Sequence, residues 1–303
     1  MKNKILPAAL SVCLLFASCK AHNTVKIDEA FVEGGTMIIG NGTYFKEYEY
    51  NTADLYASRY EYSWGLLAQV INYGIEHKDL EIKNNKLYPL SGSFPDFSKV
   101  ILDFSKLSQF INSDTAELSA AAGYEDYPVH SIAWFGIPYI LNIMSRMNNY
   151  TPCYETVTWK TIEGADGYRL PTFEEWEFLA RGGMQSAGYI YSGSNDDGEI
   201  GWFTSNSEGT VHKGGLKKPN ELGLYDMSGN VNEFTTEIGK PVMIAPEVTL
   251  LTANSLWRGG SYNSSPVSTF EFRQNINFPD YFLPFADVGF RTVRTAKISI
   301  SGR

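Results

Sequence analysis

The stretch Gly223-Leu-Tyr-Asp-Met-Ser-Gly-Asn-Val-Asn-Glu233 has residue types and spacing that could hold a metal ion. Asp226, Gly229, Val231 and Glu233 fall at i, i+3, i+5 and i+7. Two carboxylates supply charge, and the carbonyls of a glycine-containing turn supply neutral oxygens, a donor set suited to a hard cation such as Ca²⁺. The same residues also make a tight turn whose Asp and Glu satisfy nearby backbone N–H groups. Spacing alone leaves both readings open.

Other chemistry is sparse. The four histidines are far apart in sequence, and His130 reads as a hydrogen-bonded structural residue rather than a ligand. Asn195, Asp196, Asp197 and Glu199 offer a second cation site or a solvated acidic loop, and the loop is preferred. No Ser-His-Asp arrangement, P-loop or paired-carboxylate motif is evident. A net charge of −9 argues against nucleic acid or an anionic membrane surface as partner.

The elements that must position these residues begin after an export signal. Residues 1–18 read as a lipoprotein signal peptide: Lys2 and Lys4 precede an apolar run from Ile5 to Phe16, too short for a typical span. Leu-Phe-Ala-Ser-Cys19 resembles a lipobox, so Cys19 is the expected lipidation site, on the cell envelope at the outer-membrane surface. Residues 19–29 form a tether and 30–303 the domain. Cys13 and Cys19 belong to the signal, which leaves Cys153 unpaired and no internal disulfide. With 43% hydrophobic and 14% aromatic residues the domain is globular rather than disordered.

Within it, Phe31 to Gly40 reads as a strand broken at Gly34 and Gly35, and Asp54 to Tyr62 as another strand. Ser63 caps a helix with one apolar face. Residues 78–126 read as a surface insertion with a short amphipathic helix over Lys99 to Phe110. Ser131 is the expected N-cap of a helix reaching about Met147. Thr172 and Glu175 form a capping box for Glu174 to Ala180, closed by Arg181-Gly-Gly183. Trp257 to Tyr262 and Val288 to Arg291 read as core strands, with Gly259 and Gly260 permitting close packing.

Taken with Gly167-Tyr-Arg-Leu-Pro-Thr-Phe-Glu-Glu-Trp-Glu177, Trp257-Arg-Gly-Gly-Ser-Tyr262 and Val288-Gly-Phe-Arg291, the opening stretch resembles the formylglycine-generating-enzyme (sulfatase-modifying-factor) family, over roughly Ala30 to Thr295. The resemblance implies an α+β, C-type-lectin-like fold low in regular secondary structure. It also implies that Asp226, Gly229, Val231 and Glu233 hold a structural Ca²⁺. Asn232 and Phe234 depart from the family, standing where tryptophans are usual. In the family's oxidases two cysteines bind copper; the matching positions here are Ser264 and Thr269. A hydroxyl cannot replace a thiolate as soft-metal ligand or redox group, so no copper and no formylglycine-generating activity are expected. The His cluster of the related iron-dependent sulfoxide synthases is also missing.

The stretch 263–288 carries six Phe or Tyr, no Lys, Met or Trp, and two residues, Glu271 and Gln274, that no pyrimidine-ending codon encodes. That resembles variable proteins diversified by retroelements, the treponemal ones above all, whose variable residues lie at the C-terminal end of this fold. The resemblance implies a non-catalytic surface protein binding a protein or glycan through Ser264, Ser265, Phe270, Phe272, Asn275, Asn277, Tyr281, Phe282 and Phe285, as a monomer. The alternative is an enzyme of another type or an inactive paralogue of the oxidases.

Overall fold

Two amphipathic helices pack against each other to start the core. The computed structural model describes residues 24–40, 47–90, 99–113, 117–155, 158–236, 241–245, 248–251, 255–266, 274–276 and 283–297. Helix α1 (Trp64–Glu76) begins where expected, because Ser63 is extended and its hydroxyl accepts from the Leu66 amide. It buries Trp64, Leu67, Val70 and Ile71 on one face. Helix α2 (Gly136–Met147) starts later than the sequence implied, after Phe135 and with no side-chain cap. Ser131 is not its N-cap. Its φ is +59°, its amide donates to Phe285 O, and its hydroxyl meets His130 Nδ1 at 3.0 Å. Pro138 lies in the first turn of α2, where a missing N–H is tolerated.

Helix α3 (Phe173–Ala180) has the complete capping box of Thr172 and Glu175, and Gly182 at φ +86° follows its end. Arg169 grips the Glu175 carboxylate with both terminal nitrogens, at 2.6 and 2.8 Å. Glu177, on the same helix, accepts from Arg258 and from the Gly40 amide, both at 2.9 Å. Helix α3 thereby ties the N-terminal hairpin to the C-terminal sheet.

No strand among the described residues exceeds five residues. Glu29–Val32 pairs antiparallel with Leu55–Ser58, which pairs antiparallel with Val293–Thr295, so the two ends of the domain share one sheet. Gly35–Ile39 and Tyr48–Thr52 form a hairpin after the expected glycine break. The four-stranded sheet runs Gln274–Ile276, Ser255–Arg258, Asn232–Phe234, Val288–Gly289. Its last pair is parallel.

Two further expectations need correction. Residues 78–126 are not a surface decoration: Leu80, Leu87, Leu102, Phe104 and Phe110 are buried in the same core as α1 and α2. The helix over Lys99 to Phe110 is absent, since Ile101 N bonds Leu87 O and Phe104 N bonds Asn85 O, drawing the chain into the sheet of Leu80–Lys83, Lys86–Pro89 and Leu102–Asp103. A single 3₁₀ turn, Phe104–Lys106, remains. The strand over Trp257 to Tyr262 stops at Arg258, because Gly259 and Gly260 take φ of +98° and +79° and turn the chain.

Candidate ligand-binding site

The turn before Asn232 is built on left-handed backbone: Asp226, Gly229 and Asn230 have φ of +55°, +84° and +59°. Gly229 is required there, because a Cβ would lie 2.6 Å from Trp202 O. The turn delivers Glu233 to Arg291, both fully buried. Arg291 Nε lies 2.9 and 2.7 Å from the two carboxylate oxygens, and Nη2 lies 2.6 Å from Oε1. Trp176 Nε1 donates to Oε2 at 2.6 Å. The remaining Arg291 donors reach the carbonyls of Ser58 and Tyr225.

Two more carboxylates complete this cluster. Asp226 Oδ2 accepts from Gly215 N at 2.7 Å, while its Oδ1 is buried with no hydrogen-bond partner. Glu61 was not singled out by the sequence. It is buried and accepts from Val231 N at 3.0 Å and Asn230 Nδ2 at 2.7 Å. Burial pushes the Asp226 carboxyl up to about 6. Burial, then the charges of Asp226 and Glu233, push Glu61 well above the usual carboxylate range. Three buried carboxylates thus face the single guanidinium of Arg291. The bare Asp226 oxygen and the surplus negative charge fit a cation, whereas Glu233 already has its counter-charge. Among the described residues no group of three or more His, Cys, Asp or Glu side chains is arranged to hold a metal, so a cation here leans on backbone carbonyls as well.

Asn230 joins this turn to the C-terminal segment. Its carbonyl accepts from Tyr262 N at 2.7 Å, and its side chain reaches Glu61. Beyond Tyr262, Ser261 Oγ donates to Asp287 Oδ2 at 2.7 Å. Asn232 donates to the same oxygen at 3.3 Å. Ser264 Oγ accepts from Ser261 N at 2.9 Å and donates to Ser261 O at 3.1 Å. Where the resemblance would place a thiolate there is a neutral hydroxyl holding a turn. At the other end of the segment, Phe285 O receives the Ser131 amide and Asn232 N bonds Asp287 O. Pro284 bridges Ala133.

The sequence-derived contact residues divide accordingly. Ser264 is half-buried with its hydroxyl engaged, and Ser265 is exposed. Phe285 is half-buried, its ring edge-on to Trp257 at 4.7 Å, so it serves the scaffold at least in part. Asn275 lies on Gln274–Ile276 opposite Leu256, a strand the sequence reading did not foresee. Phe270, Phe272, Asn277, Tyr281, Phe282 and Thr269 lie outside the described residues, as does Cys19. Leu283, which the sequence reading passed over, is 51% exposed; only its place in an apolar run beside Pro284 hinted at it. The acidic loop is internally satisfied: Asp196 caps a short helix, Asn195 accepts from Ile190 N, and Glu199 pairs with Lys218. Cys153 is a buried free thiol that donates to Gly167 O.

A mixed α+β domain of short strands, closed end to end by one sheet and centred on a buried Glu–Arg pair, is the formylglycine-generating-enzyme type of fold. The chain belongs to the Sulfatase-modifying factor enzyme 1-like domain family, whose profile matches residues 17–296. It is 33% identical over 211 residues to the Chaperone protein LppX of Paenibacillus barcinonensis, covering 56% of this chain and 71% of that protein. It is 34% identical over 85 residues to Inactive C-alpha-formylglycine-generating enzyme 2 of Mus musculus, 25% of this chain and 28% of that one. Among solved structures it is similar in fold to CarF (TM-score 0.64, 21% identity, 90% of this chain and 99% of the other). It is also similar to Treponema denticola variable protein 1 (TM-score 0.62, 20% identity, 88% and 95%). No helix of the described residues is long and apolar enough to cross a membrane.

Proposed function

We propose that this chain is a non-catalytic, lipid-anchored envelope protein that binds a macromolecular ligand through residues 263–288. The observation that carries the reading is the grip of the scaffold on both ends of that segment. Tyr262 is fixed to Asn230 and Ser264 to Ser261 at one end, and Phe285 and Asp287 are fixed to Ser131 and Asn232 at the other. A segment held this way exchanges side chains without unfolding the domain, which suits a contact surface. The aromatic residues of the segment, with the exposed Leu283, would supply anchors of large area at low entropy cost. Likeness to a relative named as a chaperone favours a protein over a glycan as ligand.

Formylglycine-generating activity is not part of this reading, because Ser264 and Thr269 stand where the family's thiolates act. A structural Ca²⁺ is part of it: Asp226, through its unpaired Oδ1, with the carbonyls of Gly229 and Val231 would hold the ion, which would neutralise the surplus charge of the turn, while Glu233 stays with Arg291 and Trp176. Retroelement diversification of 263–288 completes the proposal.

Probing arrays of extracellular proteins and glycans with the purified chain tests the binding claim. A ligand bound by the wild type and lost in a Phe272→Ala, Tyr281→Ala, Phe282→Ala variant of equal melting temperature supports it. A ligand retained by that variant overturns it. Sequencing the gene across one culture tests diversification separately: adenine-restricted variation confined to codons 263–288 is expected, and a uniform sequence refutes it.

A further inference from the structure

We infer that the face around Thr24, Tyr60 and Leu216 rests against a layer of anionic lipid headgroups and so fixes how the domain stands on the membrane. The inference rests on the reading that Cys19 carries a lipid anchor. Residues 19–29 read as a tether in the sequence, yet from Thr24 onward the chain is docked to the domain. Val25 is 3% exposed and belongs to the core that α1 and α2 share, and Ile27 packs against it. Asp28 accepts the Arg59 amide through its carbonyl, and its carboxylate pairs with the Arg59 side chain at 3.2 Å. Thr24 is therefore the point where the anchor's pull meets the domain.

Chain length then limits which face meets the bilayer. Thr24 lies five residues after Cys19, a reach of at most about 18 Å for a fully extended chain. A domain of this length has a radius of gyration of about 19 Å, so it is more than twice as wide as that reach. Only the faces bordering Thr24 come within range of the headgroups.

The side chains bordering Thr24 suit that setting. Thr24 to Asp28 line a cavity of about 890 Å³ together with Tyr60, Lys213 and Leu216. Leu216 is 58% exposed within Lys213-Gly-Gly-Leu-Lys-Lys218, a loop with three lysines and no acid. The loop is pinned beside that leucine, since Gly214 N bonds Asp126 O and Gly215 N bonds Asp226 Oδ2 at 2.7 Å. Tyr60 stacks on Tyr225 at 5.0 Å and stays partly open to solvent. An exposed leucine, a tyrosine and lysines are side chains that settle at headgroup level. The charge is complementary as well. Asp28 pairs with Arg59, Asp126 with Lys213 and Glu199 with Lys218. Among the described residues, exposed Lys26 and Lys217, the latter held by Gly198 O and over the Trp202 ring, keep their charge against the one unpaired carboxylate of Glu125. The patch is thus positive within a chain of net charge −9. That net charge keeps the untethered chain off an anionic membrane, and tethering supplies the local concentration at which a weak patch acts.

Lysine footprinting on vesicles tests the orientation. The chain from Cys19 onward is coupled through that thiol to a maleimide-headgroup lipid in phosphatidylcholine vesicles containing phosphatidylglycerol; the buried Cys153 is not in competition. Acetylation rates are read by peptide mass spectrometry against the same chain capped with a soluble maleimide. Lys26, Lys213, Lys217 and Lys218 should react severalfold more slowly on the vesicle. Lys78, at the far end of α1 from the cavity, and Lys160 should keep their rates. Leu216→Ser with Lys217→Gln should return Lys26 and Lys213 to the soluble rate at an unchanged melting temperature. Equal slowing of all these lysines, or none at Lys26 and 213–218, overturns the proposal. So does equal protection on phosphatidylcholine alone, which would remove the anionic headgroup. The anchoring reading is checked separately, by the mass of the N-terminal peptide from native membranes. An unmodified Cys19 there would sink that reading, while the vesicle footprint still decides whether this face docks.

Discussion

The Asp226–Glu233 turn and the 263–288 segment share a sheet, yet they treat their polar groups in opposite ways. In the turn, Glu233 is enclosed by Arg291 and Trp176, and Glu61 is held by Asn230 and Val231. At the ends of the segment, hydrogen bonds run mainly to backbone, Ser265 and Leu283 face solvent, and His130 Nε2 stands unpaired beside them. Charge buried in the turn fixes a scaffold, because removing one member of a buried pair strands the other. Backbone anchoring at the segment specifies where the chain runs and leaves its side chains open to change. The two regions are joined through Asn230, so the proposed contact surface takes its position from the turn.

The largest expected effect tests the first half of that contrast. Arg291→Met leaves Glu233 buried and uncompensated and should cost about 3–5 kcal/mol in urea denaturation; a loss near that of a surface pair, about 0.5 kcal/mol, would show that the turn is not a scaffold.

Next comes His130, which belongs to the second region. Its unfolded imidazole titrates near 6.5 and its folded one near 4, so the unfolded state binds more protons in between. Its stability contribution is complete above pH 6.5 and is lost as pH falls through 4, on the order of 3 kcal/mol. The difference between wild type and His130→Phe across that window should show this loss, and parallel profiles would contradict it.

How far the sequence revealed these two regions depends on the range of the interactions involved. The caps of Ser63 and of Thr172 with Glu175 were legible because donor and acceptor lie three residues apart. The start of α2 was not legible: Ser131 suits an N-cap by type, but its amide is taken by Phe285, far along the chain. The apolar residues of 99–110 fit a helical face and a sheet edge equally, and pairing with Leu87 decided between them. Asp226 and Glu233 announced a polar turn, yet the partner that satisfies Glu233 is 58 residues away. Glu61, 170 residues from Val231, gave no local signal at all.

A smaller effect distinguishes a cation-bearing turn from one held by Arg291 alone. Free Ca²⁺ at about a hundred times its dissociation constant should add about 2.7 kcal/mol of stability. That gain should disappear in Asp226→Asn; equal melting temperatures in calcium and chelator would remove the ion from the account. The smallest effect belongs to the segment's surface. Ser265→Ala and Leu283→Ser should each change stability by less than about 0.5 kcal/mol, as exposed positions do. A loss of several kcal/mol at Leu283 would mean that this end of the segment is core.

The most direct measurement is hydrogen–deuterium exchange of the full chain, free and bound to a ligand taken from the arrays. The account predicts that amides within 263–288 slow on binding while those of 226–233 exchange as slowly in the free chain as in the complex. Protection that instead maps to the hairpin of Gly35–Ile39 and Tyr48–Thr52, with 263–288 unchanged, would contradict it.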